Sequence, residues 1–410
     1  MAFKMTFHIR SRSQLGTGLA VWLGLSGFVA NTLPVAASPM QATLRSVVAH
    51  PVPADFPATI RLLTHTMPSI RGSETAATSL LFVPEGQPPA GGWPTVAWAH
   101  GTTTPGQKTC APSLTPELDG GLTRDGFKSD YAFQIGQFLD AGYAVVAPDF
   151  EGLGPVADVP YPYYSASSLA RSLLAGVLAA RQAELALSNR VAVVGHSDGG
   201  HAVLGVEAHI GEAPQLELVG TVASVPYTSI AATADHFGEA ARTADAKATG
   251  DQALMMHQFQ GALMTVGLTA QSSGFDPATI MGPDLARLLP EFRSLCSVNA
   301  IGVIDKAVKA KGAAFAGLKA DWASNPVMQA FLAANDPAVT PGFMLHRPTL
   351  IVQGNADTFV LEPLTTAFAE RLRTAGAPVT YKVYPGDDHF SIIRSANPDV
   401  LAFLRQRFGR

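Results

Sequence analysis

The sequence predicts an α/β fold: a mostly parallel central sheet with an inserted helical cap. Three observations point there. Short apolar runs alternate with helically spaced segments, one long stretch holds helical patterns and no strand, and a serine sits between glycines where a strand gives way to a helix. At 410 residues the chain is long enough for a large buried core. Its 38 Gly and 30 Pro mark a loop-rich chain, while 47% hydrophobic against 15% charged residues excludes a disordered one.

The first segment reads as a targeting signal and not as fold. Lys4, Arg10 and Arg12 precede the apolar run "GLAVWLGLSGFVA", which is short for a membrane span, and "PVAAS" offers small residues for cleavage after Ala37. Residues 1–37 are therefore expected to be a signal peptide, with 38–410 as the mature, secreted or periplasmic chain. A retained membrane anchor is the competing reading. Losing those three positive charges and no acidic residue takes the net charge from −4 to −7, which gives nucleic acid no basis as a partner. The two cysteines, Cys110 and Cys296, show no metal-ligand spacing. One disulfide between them is expected in an oxidising compartment, although sequence alone does not show that the sulfurs meet.

Strands are expected at 78–84, 95–101, 143–149, 191–195, 218–226, 349–354 and 379–386. Several are near-continuous in Val, Ile, Leu and Ala, the pattern of strands covered on both faces. Helical spacing marks "YAFQIGQFLDAG", "SASSLARSLLAGVLAARQAELAL", "LTTAFAERLRTAG" and "PDVLAFLRQRF"; two of these stop at a glycine. From 227 to 346 there are helical runs only, such as "GDQALMMHQFQGALMTVGL", so this segment is read as the cap. Its Met and Leu residues can be read as a lid in contact with a lipid interface or as packing onto the core.

Gly195-His196-Ser197-Asp198-Gly199 is G-x-S-x-G with a strand before it and a helix after it. Such a corner lifts a serine Oγ beside the free N–H groups of the helix start. A serine hydroxyl needs a base, and the base needs a carboxylate to orient it. Asp357 follows the strand "TLIVQG", and His389 follows "VTYKVYPG", in the chain order of α/β-hydrolases. The expected triad is Ser197, Asp357 and His389. Asp387 and Asp388 adjoin His389 too closely to reach its Nδ1 and are read as loop-shaping. Asp149 precedes the serine and is read as binding turn amides. His196 and His201 are assigned packing or surface roles. The oxyanion donors are expected to be the backbone N–H of Asp198 and that of Thr102, in the loop opened by His100-Gly101. No metal or organic cofactor is called for.

With these residues placed, the chain resembles the secretory lipases, the lipase-A-like α/β-hydrolases. The likeness rests on "AHGTT" with "CAPS", "PDFEGLG", "ARSLLAGVLAARQA", "GHSDGG", "GNADTFV" and "DDHF", spread over residues 78–390 and least clear in the cap. It implies an exported hydrolase of carboxylic esters, including acylglycerols, with a small-molecule ester or lipid as substrate. The acidic Asp198 after the nucleophile departs from the small or neutral residue expected there. A peptidase or amidase on the same fold, or a non-catalytic binding protein, are the competing readings.

Overall fold

The computed structural model of the protein describes residues 39–51, 56–114 and 130–410. The segment 1–37, read as an export signal, lies outside them. Strands β1 (Leu44–Ala49), β2 (Ala58–Pro68), β3 (Glu74–Pro84), β4 (Trp93–Ala99), β5 (Ala144–Pro148), β6 (Leu187–His196), β7 (Glu217–Ser224), β8 (Thr349–Gly354) and β9 (Val379–Tyr384) form one sheet in the order β1-β2-β3-β5-β4-β6-β7-β8-β9. From β5 across to β9 every pairing is parallel, whereas β1, β2 and β3 pair antiparallel and β3 meets β5 antiparallel. The central strands β4, β5 and β8 are buried at every residue. That burial is why their sequences run apolar without alternation.

Helices α1 (Tyr131–Asp140), α2 (Ala166–Ala183), α3 (Asp198–His209), α4 (Ile230–Thr243), α5 (Lys247–Gln271), α6 (Pro283–Arg293), α7 (Ser297–Lys311), α8 (Pro326–Asn335), α9 (Glu362–Thr374), α10 (Ile392–Ser395) and α11 (Asn397–Phe408) complete the described fold. The helices α2 and α3 pack on each other and on the sheet, and α11 packs on β6 and β7. Five helices, α4 to α8, lie between β7 and β8, where the described residues hold no strand of the sheet. The one extended pairing there is an isolated bridge between Met281 and Leu318.

Two features differ from the sequence reading. The β1–β2 pair was not expected, because β2 carries Arg61, Thr64, His65 and Thr66 within an otherwise apolar run. Its buried polar groups are satisfied across the sheet: His65 Nε2 bonds Ser79 Oγ at 2.9 Å, so the alternation is masked by polar side chains that face inward. The helix expected through 187 ends at Ala183. Glu184 leaves it to pair with Arg61 at 2.8 Å, Leu185 is 90% exposed, and the chain re-enters the sheet at Leu187. An alanine-rich run with no breaker gave no sign of that exit.

Two helical glycines make opposite predictions. A Cβ on Gly267 of α5 would fall on the carbonyl oxygen of Tyr163, so α5 lies against that backbone through a bare Cα. Gly302 of α7 has open space where its Cβ would be. Gly302→Ala should raise stability by about 0.5–1 kcal/mol through helix propensity alone. Gly267→Ala should lower it by roughly 2 kcal/mol or more despite the same propensity gain, because backbone has to move. Paired denaturant titrations of the two variants check both signs.

Candidate active site

The corner between β6 and α3 has geometry that only small residues allow. A Cβ on Gly195 would collide with Gly199 O, and one on Gly199 with Ala99 O. Ser197 itself takes φ 59° and ψ −117°, a conformation that L-residues avoid and that costs of order 1–3 kcal/mol. It is anchored there by its N–H on Ser224 O at 2.9 Å and its C=O on His201 N at 3.0 Å. Asp198 then opens α3, so its N–H has no acceptor within the helix.

The structure brings the three residues singled out by chain order into one hydrogen-bonded line. His389 Nδ1 lies 2.7 Å from Asp357 Oδ2, and His389 Nε2 lies 2.9 Å from Ser197 Oγ. A carboxylate accepts only, so Nδ1 carries the proton and Nε2 is left to accept from the serine. The second oxygen of Asp357 takes the N–H groups of Phe359 and Val360 at 2.8 and 2.9 Å. Those bonds fix the orientation of the carboxylate. Asp387 and Asp388 do face away: Asp388 Oδ1 accepts from the Phe390 and Ser391 amides, and Asp387 Oδ1 from Ser395 Oγ. Asp149 takes the Ser113 amide at 3.0 Å together with the Thr78 and Ser113 hydroxyls, which ties down the loop after β4.

His196 does more than pack. Gly101 N–H donates to Tyr131 Oη at 2.9 Å, Tyr131 O–H to His196 Nδ1 at 2.8 Å, and His196 Nε2–H to the His389 carbonyl at 2.6 Å. Each donor finds the one acceptor its neighbour leaves free, so the chain runs in a single direction. Burial holds the His196 pKa down to about 3, with the nearby His389 adding to the effect, and the ring stays neutral as this relay requires. Sequence reasoning passed over Tyr131. The only sequence signal for this relay was the polar residue at the variable position of the elbow. His201 is likewise buried, with both ring nitrogens on the carbonyls of Tyr227 and Tyr164.

Thr102 sits at the mouth of the same pocket, its hydroxyl bonded to Tyr163 Oη. Asp198, by contrast, turns its side chain inward, where Oδ2 accepts from Tyr161 O–H at 2.7 Å and Oδ1 has no partner. The cavity in front of Ser197 is small, about 50 Å³, and Phe259, Ser297 and Ile301 of the cap form part of its wall. Beyond Ile301 and Phe359 lies a second hollow of about 340 Å³, with Phe237, Met255 and Met256 in its walls. Among the described residues no group of three His, Cys, Asp or Glu is arranged to hold a metal ion. No described helix is long and apolar enough to cross a membrane.

Cys110 and Cys296 are joined in a disulfide with Cα atoms 5.6 Å apart. It clamps the loop after β4 to the start of α7, beside three hydrogen bonds: Thr104 Oγ1 to Leu295 O, Gln107 Nε2 to Ser294 O, and Ser297 N to Thr103 O. Because it closes 186 residues of sequence, opening it should lower stability by about 2–5 kcal/mol. Urea unfolding of the Cys110→Ser/Cys296→Ser protein beside the oxidised parent measures this.

The secretory lipase family model matches residues 129–244. No curated protein matches the chain at a significant level. Among solved structures, the protein is similar to Candida antarctica lipase A in its closed state, with a TM-score of 0.69 and 16% identity over 92% of this chain and 83% of that one. It is also similar to the rice cell wall degrading esterase LipA from Xanthomonas oryzae, with a TM-score of 0.63 and 16% identity over 91% of this chain and 98% of that one. At these identities the two structures speak for the fold. The chain resembles the secretory lipases in sequence through its elbow segment and has the α/β-hydrolase fold over most of its length.

Proposed function

We propose that the protein is an exported serine hydrolase that cleaves carboxylic esters, acylglycerols or related esters among them. The observation that carries this reading is the Ser197–His389–Asp357 line, with both hydrogen bonds within 3 Å, at a strained elbow that opens a helix. His389 takes the proton of Ser197 Oγ as that oxygen attacks the ester carbonyl. The Asp198 and Thr102 amides hold the developing oxyanion, a contribution of roughly 3–4 kcal/mol for each donor. His389 then protonates the departing alkoxide, and water, activated by the same imidazole, releases the acid from Ser197. The pocket walls support an apolar acyl group, because the aromatic and aliphatic side chains of Phe259, Ile301 and Phe359 surround the nucleophile. Export rests on the resemblance to secretory lipases, on the signal-like residues 1–37 and on the disulfide.

A peptidase that grips a free amine would need an unpaired carboxylate facing the pocket. Two acidic residues near the elbow could be read that way, Asp198 and Glu151: Glu151 is buried and is taken up by Ser69 Oγ, the Ile70 amide and Ser168 Oγ, and Asp198 turns its carboxyl inward onto Tyr161. The experiment is hydrolysis of p-nitrophenyl esters of increasing chain length beside aminoacyl nitroanilides. Ester turnover is expected to fall by on the order of 10⁶-fold in Ser197→Ala and about 10⁴-fold in Asp357→Asn. Cleavage of the anilides alone would replace this reading with an amidase.

A further inference from the structure

The reaction above uses the amide of Asp198 but not its side chain, and the position of that side chain is unusual. It is buried, it is the first residue of α3, and its amide is the proposed oxyanion donor. We propose that Asp198 acts as a neutral carboxylic acid, and that its ionisation switches off the ester hydrolysis proposed above by placing a second negative charge beside the oxyanion.

The geometry supports this through the groups around the carboxyl. From the loop before α2 come Tyr161, Tyr163 and Tyr164, from the start of α1 Tyr131, and from the segment after β7 Tyr227. The electrostatics of all five phenols feel Asp198. Burial raises the pKa of each phenol, so none is an anion at neutral pH. Of the histidines on the surrounding segments, His100 and His196 are held by burial near 4 and 3, and that of His201 is lowered, so these three are uncharged. The charged groups of the site are Asp357 and, once it has taken the serine proton, His389. No arginine or lysine is paired with Asp198 among its described contacts.

A bare carboxylate here would have one hydrogen bond and no counter-ion. Oδ1 is without a partner in either protonation state, and with no counter-ion the neutral acid is the less costly form to bury: Oδ2 accepts from Tyr161 as the carbonyl oxygen, and Oδ1 carries the proton. Burial accordingly pushes its pKa up to about 7, against the lowering effect of the Tyr161 bond. The reaction builds its negative charge on an oxygen held by the amide of this same residue. A carboxylate on the residue whose amide holds the oxyanion slows that step by roughly 10- to 100-fold. The loss on deprotonation is a proton released to solvent, and it is reversible.

This inference rests on the ester-hydrolase reading but fails separately from it. The test is kcat/KM for p-nitrophenyl butyrate from about pH 5 to about pH 9, read at the isosbestic wavelength of the nitrophenol, with recovery checked at the lower pH. The parent should lose activity by 10-fold or more as pH rises through about 7. In Asp198→Asn the alkaline fall should vanish when each rate is compared with that variant's own rate near pH 6. In Tyr161→Phe it should move to higher pH, because the bond that favours the carboxylate is gone. An unchanged alkaline fall in Asp198→Asn, or a parent whose rate is level to pH 9, overturns the proposal. Should no ester be cleaved, infrared difference spectra between pH 6 and pH 8.5 decide it. A protonated-carboxyl band that is lost on raising the pH and missing in Asp198→Asn supports it. Coincident spectra overturn it.

Discussion

The position of His389 depends on a hydrogen bond that its side chain does not make. Its backbone carbonyl accepts from His196 Nε2 at 2.6 Å, and through Tyr131 that bond continues to the amide of Gly101. Three loops that are far apart in sequence are thereby held in one register: the loop after β4, the elbow, and the loop after β9. A triad needs its nitrogen held at hydrogen-bond distance from the serine oxygen, here 2.9 Å, to within about 0.5 Å. The Asp357 carboxylate fixes only the rotation of the imidazole, whereas this relay fixes where the imidazole is attached. Removing the Tyr131 hydroxyl would strand a buried amide and a ring nitrogen together, which makes the relay cooperative.

The same loop after β4 meets the cap. Thr103 and Thr104 hold the backbone at Ser297 and Leu295, and the disulfide locks the arrangement. Ser297 and Ile301 are in turn part of the wall of the pocket in front of Ser197. A displacement of α7 would therefore move both the pocket wall and the loop that carries Thr102. Coupling of this kind lets a cap define the pocket without contributing to the triad. It also gives a physical reason for a disulfide in a chain whose core is already large enough to fold without one.

What the sequence disclosed follows from locality. The elbow was legible because a strand, a strained serine and a helix lie within fifteen residues, and glycines are required wherever a Cβ would strike backbone. Asp357 was legible because it follows the apolar run of β8, and His389 because it follows β9, whose Val and Tyr residues mark a strand although most of it is not buried. The relay was not legible: Tyr131 and His196 are 65 residues apart, and nothing local distinguishes this tyrosine from a core residue. The β1–β2 pair was hidden for the opposite reason. His65 and Thr66 are polar residues that face inward, and their partners are set by the sheet and not by the neighbouring sequence. The end of α2 was hidden because the partner of Glu184, Arg61, lies far away in sequence on strand β2.

Asp198 shows how far position alone carries a chemical reading. In sequence it is a charge beside an oxyanion site, which argues against the reaction. In the fold, the helix start would favour its anion, while burial among Tyr131, Tyr161, Tyr163 and Tyr164 favours its acid. Burial is the larger influence: the carboxyl is fully buried in the first turn of the helix, with Tyr161 as its one donor, and its pKa rises to about 7. With a single donor in Tyr161 and no cation to compensate, the neutral form is the one that the surroundings can hold. Below a pH of about 7 the protonated acid adds no negative charge beside the proposed oxyanion site, and there the conflict apparent in the sequence is removed by the packing around the carboxyl.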